Sequence, residues 1–215
     1  MADTVGELYG AGARRLQDHF DSRRLADRLN EVTVGESIDG PTAAYIERAA
    51  YFFLATVDAT GFPDVSYKGG RPGFVKVVDE HTLRFPSYDG NGMFRSLGNI
   101  NETNKVALLF IRQTSKANRI RIHGTAEVLL DPSDTADFVG AEAVIEITVG
   151  RIFPNCPRYI HDLESGTLSE FAPGGSTLPP QPEWKNWTNS LMCFLESSIH
   201  EGVHDISPSG SSRCS

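Results

Sequence analysis

From Phe52 onward the chain runs as short apolar stretches broken by turn-forming residues, and that rhythm limits what it can fold into. Phe52–Val57 stops at Asp58-Ala59-Thr60-Gly61 and resumes at Pro63–Tyr67, the pattern of a hairpin. Beyond Lys68-Gly69-Gly70-Arg71-Pro72-Gly73 come Phe74–Val78, a turn at Asp79–His81, and Thr82–Phe85. Lys105–Arg112, Arg119–Leu130 and Ala143–Ile152 complete the strands, with a short helix expected after Asp131-Pro132-Ser133. Six or seven strands with short polar turns and few long helices between them predict a mainly β protein, an antiparallel barrel rather than a βαβ fold.

Helices are expected to flank this barrel. Leu16, Phe20, Leu25 and Leu29 fall near one stripe among Arg and Asp, which suits an amphipathic surface helix. Pro41 opens a short helix through Ala50, with Asp39 or Gly40 as its cap. Residues 1–50 therefore read as a helical segment packing on the barrel, and 51–170 as the barrel itself. Residues 171–215 read as an extension whose composition loosens after Phe171 and whose end, SPSGSSRCS, is expected to be disordered.

One linker carries more than punctuation. In FPSYDGNGMFRSLGNI, residues 85–100, an apolar strand leads through Gly90-Asn91-Gly92 into a helix expected over Met93–Asn99. Such a helix start presents unpaired N–H groups and the positive end of the helix dipole, which favours an anion. The dipole supplies only about 0.3–1 kcal/mol at an exposed site, whereas micromolar binding needs roughly 8 kcal/mol. Charged partners and the burial of an aromatic ring must provide the rest. Lys68, Lys76, Arg119 and Arg121 are the candidates. Strand alternation puts Arg119, Arg121 and His123 on one face and Ile120 and Ile122 on the other, so the basic face is either an anion site or a solvated surface.

The formal charge of −8 excludes a general nucleic-acid binder, which needs a basic face. No apolar run approaches the roughly 20 residues of a membrane span, and the N-terminus lacks the apolar stretch of a secretory signal. Cys156, Cys193 and Cys214 show no metal or redox spacing, so a cytoplasmic, reduced protein is expected. His200-Glu201-Gly202-Val203-His204 fits H-E-x-x-H, but Gly202 weakens the helix, Pro208 follows closely, and only Asp205 and Cys214 remain as third ligands. No metal site is expected. Trp184 and Trp187 suit either a lid over a planar ligand or an anchor for the tail. Cys156 reads as a structural cysteine, with haem ligation the alternative.

The stretches FFLATVDATGFPDVSYKGGRPGFVKVV (52–78), LRFPSYDGNGMFRSLGNINETNKVALLF (83–110) and RIRIHGTAEV (119–128) resemble the pyridoxamine 5′-phosphate oxidase-related, FMN-binding split β-barrel proteins. Gly124-Thr125-Ala126-Glu127 matches the Gly-x-x-Glu that ends the family's basic strand. The resemblance spans about Tyr51 to Ile160 and implies a split barrel of six or seven strands, dimeric, with two FMN molecules in clefts between subunits. It implies that Pro86 and Ser87 meet the flavin through backbone and that Gly90 and Asn91 lie near the phosphate. Lys68 or Lys76 and Arg119 would supply charge there, with Arg121 lining the cleft. Pyridoxamine phosphate oxidases proper carry Ser-Arg-Lys after the strand where this chain has Gly90-Asn91-Gly92, two phosphate-binding cations fewer. The expected function is therefore a generic flavin-dependent oxidoreductase, its substrate not legible and no catalytic acid or base assigned. The alternatives are a non-catalytic flavin- or haem-binding protein and an F420-dependent reductase on the same fold.

Overall fold

The computed structural model describes residues 7–174 and Pro180. The expectations placed on Trp184, Trp187, Cys193, Cys214 and the His200–His204 motif lie outside the described residues.

Three helices precede the sheet: α1 (Ala11–His19), α2 (Arg23–Thr33) and α3 (Gly40–Glu47). The stripe expected along one helix is divided between α1 and α2, because Asp21 adopts a left-handed φ of 49° that breaks the ladder. Leu16 and Phe20 stay exposed, and salt bridges from Arg14 to Asp27 and Arg23 to Asp18 join the charged residues around the break. For α3 the expected cap is observed: Thr42 N–H donates to Asp39 Oδ1 at 2.8 Å, with Pro41 in the first turn. Ile46 of α3 is fully buried in the core.

The sheet has seven strands: β1 (Tyr51–Val57), β2 (Pro63–Gly69), β3 (Lys76–Val77), β4 (Thr82–Tyr88), β5 (Lys105–Arg112), β6 (Asn118–Leu129) and β7 (Ala141–Pro154). Their order is β2-β1-β5-β6-β7-β4-β3, every neighbouring pair antiparallel. β2 and β3 form the two edges and do not pair with each other, so the barrel is split there. A longer helix, α4 (Arg95–Thr103), and a short one, α5 (Pro132–Thr135), complete the fold.

Period-two alternation sorts the residues. Phe52, Leu54, Leu108, Phe110, Ile120 and Ile122 are buried to within 2% exposure and fill the interior. Phe52 sits among the rings of Phe74, Phe85 and Phe110, with centroids 5.0–5.9 Å away. Phe74–Val78 is not the strand its composition suggests; only Lys76 and Val77 pair. Gly73 takes φ +90° and Phe74 N–H donates to Arg71 carbonyl at 2.9 Å, a turn that swings the Phe74 ring onto Phe52. Burying that ring outweighs continuing the ladder. β6 bends at a register shift between His123 and Gly124, where a Cβ on Gly124 would lie 2.1 Å from the Thr148 carbonyl oxygen.

Candidate functional site

β2 is an edge strand, so the inner face it offers is only partly covered. Its register sets Asp64, Ser66 and Lys68 opposite Thr56, Leu54 and Phe52, placing three polar side chains on the core-facing side beside the split. α4 closes over this corner. Asn99 Nδ2 donates to Thr56 Oγ1 at 2.9 Å, and Thr103 Oγ1 donates to the Val57 carbonyl at 2.8 Å, which pins the helix against β1. Its first turn then meets β2: Ser96 is buried, its Oγ 3.0 Å from Ser66 Oγ, and Arg95 Nε lies 3.8 Å from Asp64 Oδ1.

The start of α4 is uncapped by any side chain. Phe94, the residue before it, has a left-handed φ of 48°, and the first intrahelical bond is Gly98 N–H to Phe94 carbonyl at 2.8 Å. The N–H groups of Arg95, Ser96 and Leu97 precede that bond, at the positive end of the helix dipole. Lys68 is half-buried and makes no ion pair with a carboxylate among the described residues. Desolvation lowers its pKa below the usual lysine value, with the Asp64 carboxylate opposing the shift.

The helix therefore begins at Arg95, not at Met93. Gly90-Asn91-Gly92 forms an exposed loop ahead of it rather than its first turn. Asn91 Oδ1 accepts from Met93 N–H at 3.0 Å and Gly92 takes φ +74°, a local turn that keeps the helix from nucleating earlier. Pro86 is buried in β4 opposite Val144, and Ser87 is opposite Ala143 at the register shift where β4 turns into the loop. Lys76 lies opposite Arg84 on β3, its Nζ 3.3 Å from Asp137 Oδ2 and 4.6 Å from the Phe138 ring centroid.

Arg119, Arg121 and His123 do share the outer face of β6, as alternation requires, opposite Ile111, Leu109 and Ala107 of β5. Arg119 Nη2 donates to the Cys156 carbonyl at 2.7 Å, while its Nε is buried with no hydrogen-bond partner among the described residues. Burial lowers its pKa, and the Arg121 guanidinium adds to that. Arg121 pairs with no carboxylate among the described residues. The His123 pKa is also lowered, by burial first and then by Arg151 and Arg121; its ring stands edge-on to Phe153 at 5.2 Å.

Lys68 is on the face of β2 that meets α4, whereas Arg119 and Arg121 lie on the opposite side of the sheet and Lys76 is engaged by Asp137. The Pro86–Asn91 stretch runs from β4 into the exposed loop ahead of α4. Sequence reasoning missed Ser66, Arg95 and Ser96. The signal for the true helix start was the spacing of Ser96, Asn99, Ile100 and Thr103, one face at i, i+3, i+4 and i+7.

No curated protein matches the chain significantly. Solved structures similar in fold include HupZ from Group A Streptococcus, at 24% identity and a TM-score of 0.42 over 61% of this chain and 98% of that one. An FMN-binding protein from Syntrophomonas wolfei shares 10% identity, with a TM-score of 0.44 over 66% of this chain and 97% of that one. HutZ, the haem storage protein of Vibrio cholerae, shares 17% identity, with a TM-score of 0.39 over 51% of this chain and 89% of that one. The family model described as pyridoxamine 5′-phosphate oxidase matches residues 39–156, more than half of the chain, taking in α3 and all seven strands. The split seven-stranded sheet agrees with that match, and the chain belongs to the pyridoxamine 5′-phosphate oxidase family.

Proposed function

We propose that this protein binds FMN at the corner between β2 and α4 and acts as a flavin-dependent oxidoreductase on a small molecule, as a homodimer in the cytoplasm. The observation that carries the reading is the uncapped start of α4 held against Ser66 by Ser96, with Arg95 in that first turn and Lys68 two positions beyond Ser66 on the same face of β2. Unpaired backbone donors, two hydroxyls and two cations are the chemistry a phosphate monoester needs. Lys68 and Arg95 would balance its charge, with Gly90 and Asn91 in the loop alongside. The backbone of Pro86 and Ser87 would border the ring.

Arg119 and Arg121 enter through a second copy. The outer face of β1, β2 and β5 is apolar at Phe53, Val65, Tyr67 and Leu109, and Val65 and Tyr67 are more than 60% exposed. Apposing two such faces buries this surface and carries each copy's β6 cations toward the other's corner. The orphaned Arg119 Nε is a donor that suits the polar edge of a flavin. When bound, the flavin supplies hydride- or electron-transfer chemistry, and the chain's own groups orient it and set its electrostatics.

Absorbance of the purified protein, alone and with added FMN, tests the reading, and size-exclusion with light scattering tests the dimer. A flavin spectrum and micromolar affinity are expected, with bleaching by NADH or NADPH. A Soret band in place of the flavin spectrum, or affinity for F420 alone, would replace FMN as the cofactor; bound but unreduced FMN would make the protein a carrier.

A further inference from the structure

In a chain of net charge −8, the outer face of β6 and its neighbours gathers cations. Arg119, Arg121 and His123 follow one another along it, and Arg151 of β7 stands opposite His123. Lys105 of β5 stands opposite Thr125, the next position on the same face, and the first acidic residue along this face of β6 is Glu127. Arg121 and Lys105 pair with no carboxylate among the described residues. Positive side chains set together on one partly desolvated surface repel one another and focus a field that draws an anion to them.

The surface beside this cluster is low. Across the sheet from His123 the row continues as Ala107 of β5 and Ala55 of β1, whereas the row through Arg121 carries Leu109 and Phe53. On the β7 side the buried Phe153 stands edge-on to the His123 ring at 5.2 Å and holds it in place. Arg121 and His123 are two positions apart on one strand, about 7 Å, so both reach one short ligand. Arg121 and Arg151 bring two permanent positive charges to His123, and the imidazole adds a third when it takes a proton.

We propose that the substrate of the flavin reaction is a small organic dicarboxylate, one carboxylate forked by Arg121 and the other bonded to His123, seated on the alanine row between the two copies. This substrate site rests on the flavin and two-copy arrangement above and deepens it: the β6 face that turns Arg119 to the cofactor turns Arg121 and His123 to what the cofactor acts on. The charges facing His123 are all positive: Arg121 on its own strand, Arg151 on β7 and, diagonally, Lys105 on β5. Burial and the arginines lower its pKa, so the free imidazole is neutral at neutral pH. A bound dianion reverses that balance and raises the proton affinity of His123. Between the free and bound pKa values the complex therefore takes up a proton, and affinity falls as pH rises across that window.

The test is calorimetric titration of the FMN-loaded full-length protein with fumarate, at about pH 6 and about pH 8 on either side of neutral histidine titration, with flavin absorbance recorded in the same samples. Saturable binding is expected, tighter at the lower pH, with proton uptake seen as a heat that depends on the buffer. The flavin bands should shift with the same midpoint, and the monoanion crotonate should bind more weakly. Arg121→Gln should weaken fumarate binding about 10- to 100-fold, the loss of a hydrogen bond to a charged group. His123→Gln should bind fumarate with no pH dependence and no proton uptake, and it carries the test if Arg121→Gln fails to fold. Absence of saturable fumarate binding in the millimolar range, equal affinity at the two pH values, an unchanged pH dependence in His123→Gln, or displacement of fumarate by excess FMN would each overturn the substrate site while leaving bound FMN visible. A protein that takes up no FMN would instead overturn the cofactor reading, and the substrate role with it.

Discussion

Ser66 Oγ lies 3.0 Å from Ser96 Oγ, a hydroxyl pair that ties the edge strand β2 to the first turn of α4. Removing one hydroxyl strands the other, with Ser96 the more buried. Ser66→Ala and Ser96→Ala should each cost about 1 kcal/mol of stability, and the double variant less than their sum. Urea denaturation of the four proteins measures the coupling; strict additivity would show that the pair contributes nothing as a pair.

Lys68 carries the pH dependence. Its folded pKa is lowered from 10.5 by desolvation, so between that lowered value and 10.5 the unfolded chain binds more protons than the folded one. Stability of the ligand-free protein therefore rises with pH across this window as the cost of the buried charge is relieved. FMN affinity should do the reverse, falling as pH rises and the ammonium loses its proton. Titrations at a series of alkaline pH values should show this decline in the wild type and a flatter profile in Lys68→Met.

At Asn91 the side chain's structural duty is to accept from Met93 N–H. Aspartate keeps that acceptor and adds a negative charge. Asn91→Asp should therefore leave the melting temperature nearly unchanged while weakening FMN binding through repulsion of the phosphate. Unchanged affinity in this variant would remove Asn91 from the site.

Arg119→Ala tests whether the β6 cations reach a cofactor at all. Loss of a charge-assisted hydrogen bond predicts about 1.5–3 kcal/mol in FMN binding. Since Arg119 is on the face opposite the β2–α4 corner of its own chain, the loss should appear only in protein that dimerises. A full loss of affinity in a monomeric sample would contradict the two-copy arrangement.

Gly124→Ala is a prediction about the fold alone. The new Cβ would stand 2.1 Å from the Thr148 carbonyl oxygen, a backbone atom held in the β6–β7 ladder that cannot swing aside as a side chain would. A destabilisation of about 1–3 kcal/mol or more is expected, read as a lower urea midpoint with an unchanged slope.

Much of this architecture was written locally. Which stretches form strands, and that Arg119, Arg121 and His123 share a face away from Ile120 and Ile122, follow from period-two alternation, a property of each strand's own covalent geometry. The Asp39 cap and Pro41 likewise announce α3 within four residues. The candidate site was legible only in part, because its members are set by contacts between distant segments. Ser66 and Ser96 are thirty positions apart, and nothing near either residue announces the other. The true start of α4 depends on how Asn99 and Thr103 dock on β1, which overrode the earlier start suggested by Met93 and Phe94. Phe74 left its expected strand because burying its ring against Phe52 is worth more than two further ladder bonds at an edge. The chain's own alternation thus determined the faces of the strands; strand order and helix docking, long-range choices made by packing, decided that Ser66 meets the first turn of α4 while Arg119 and Arg121 lie on the other side of the sheet.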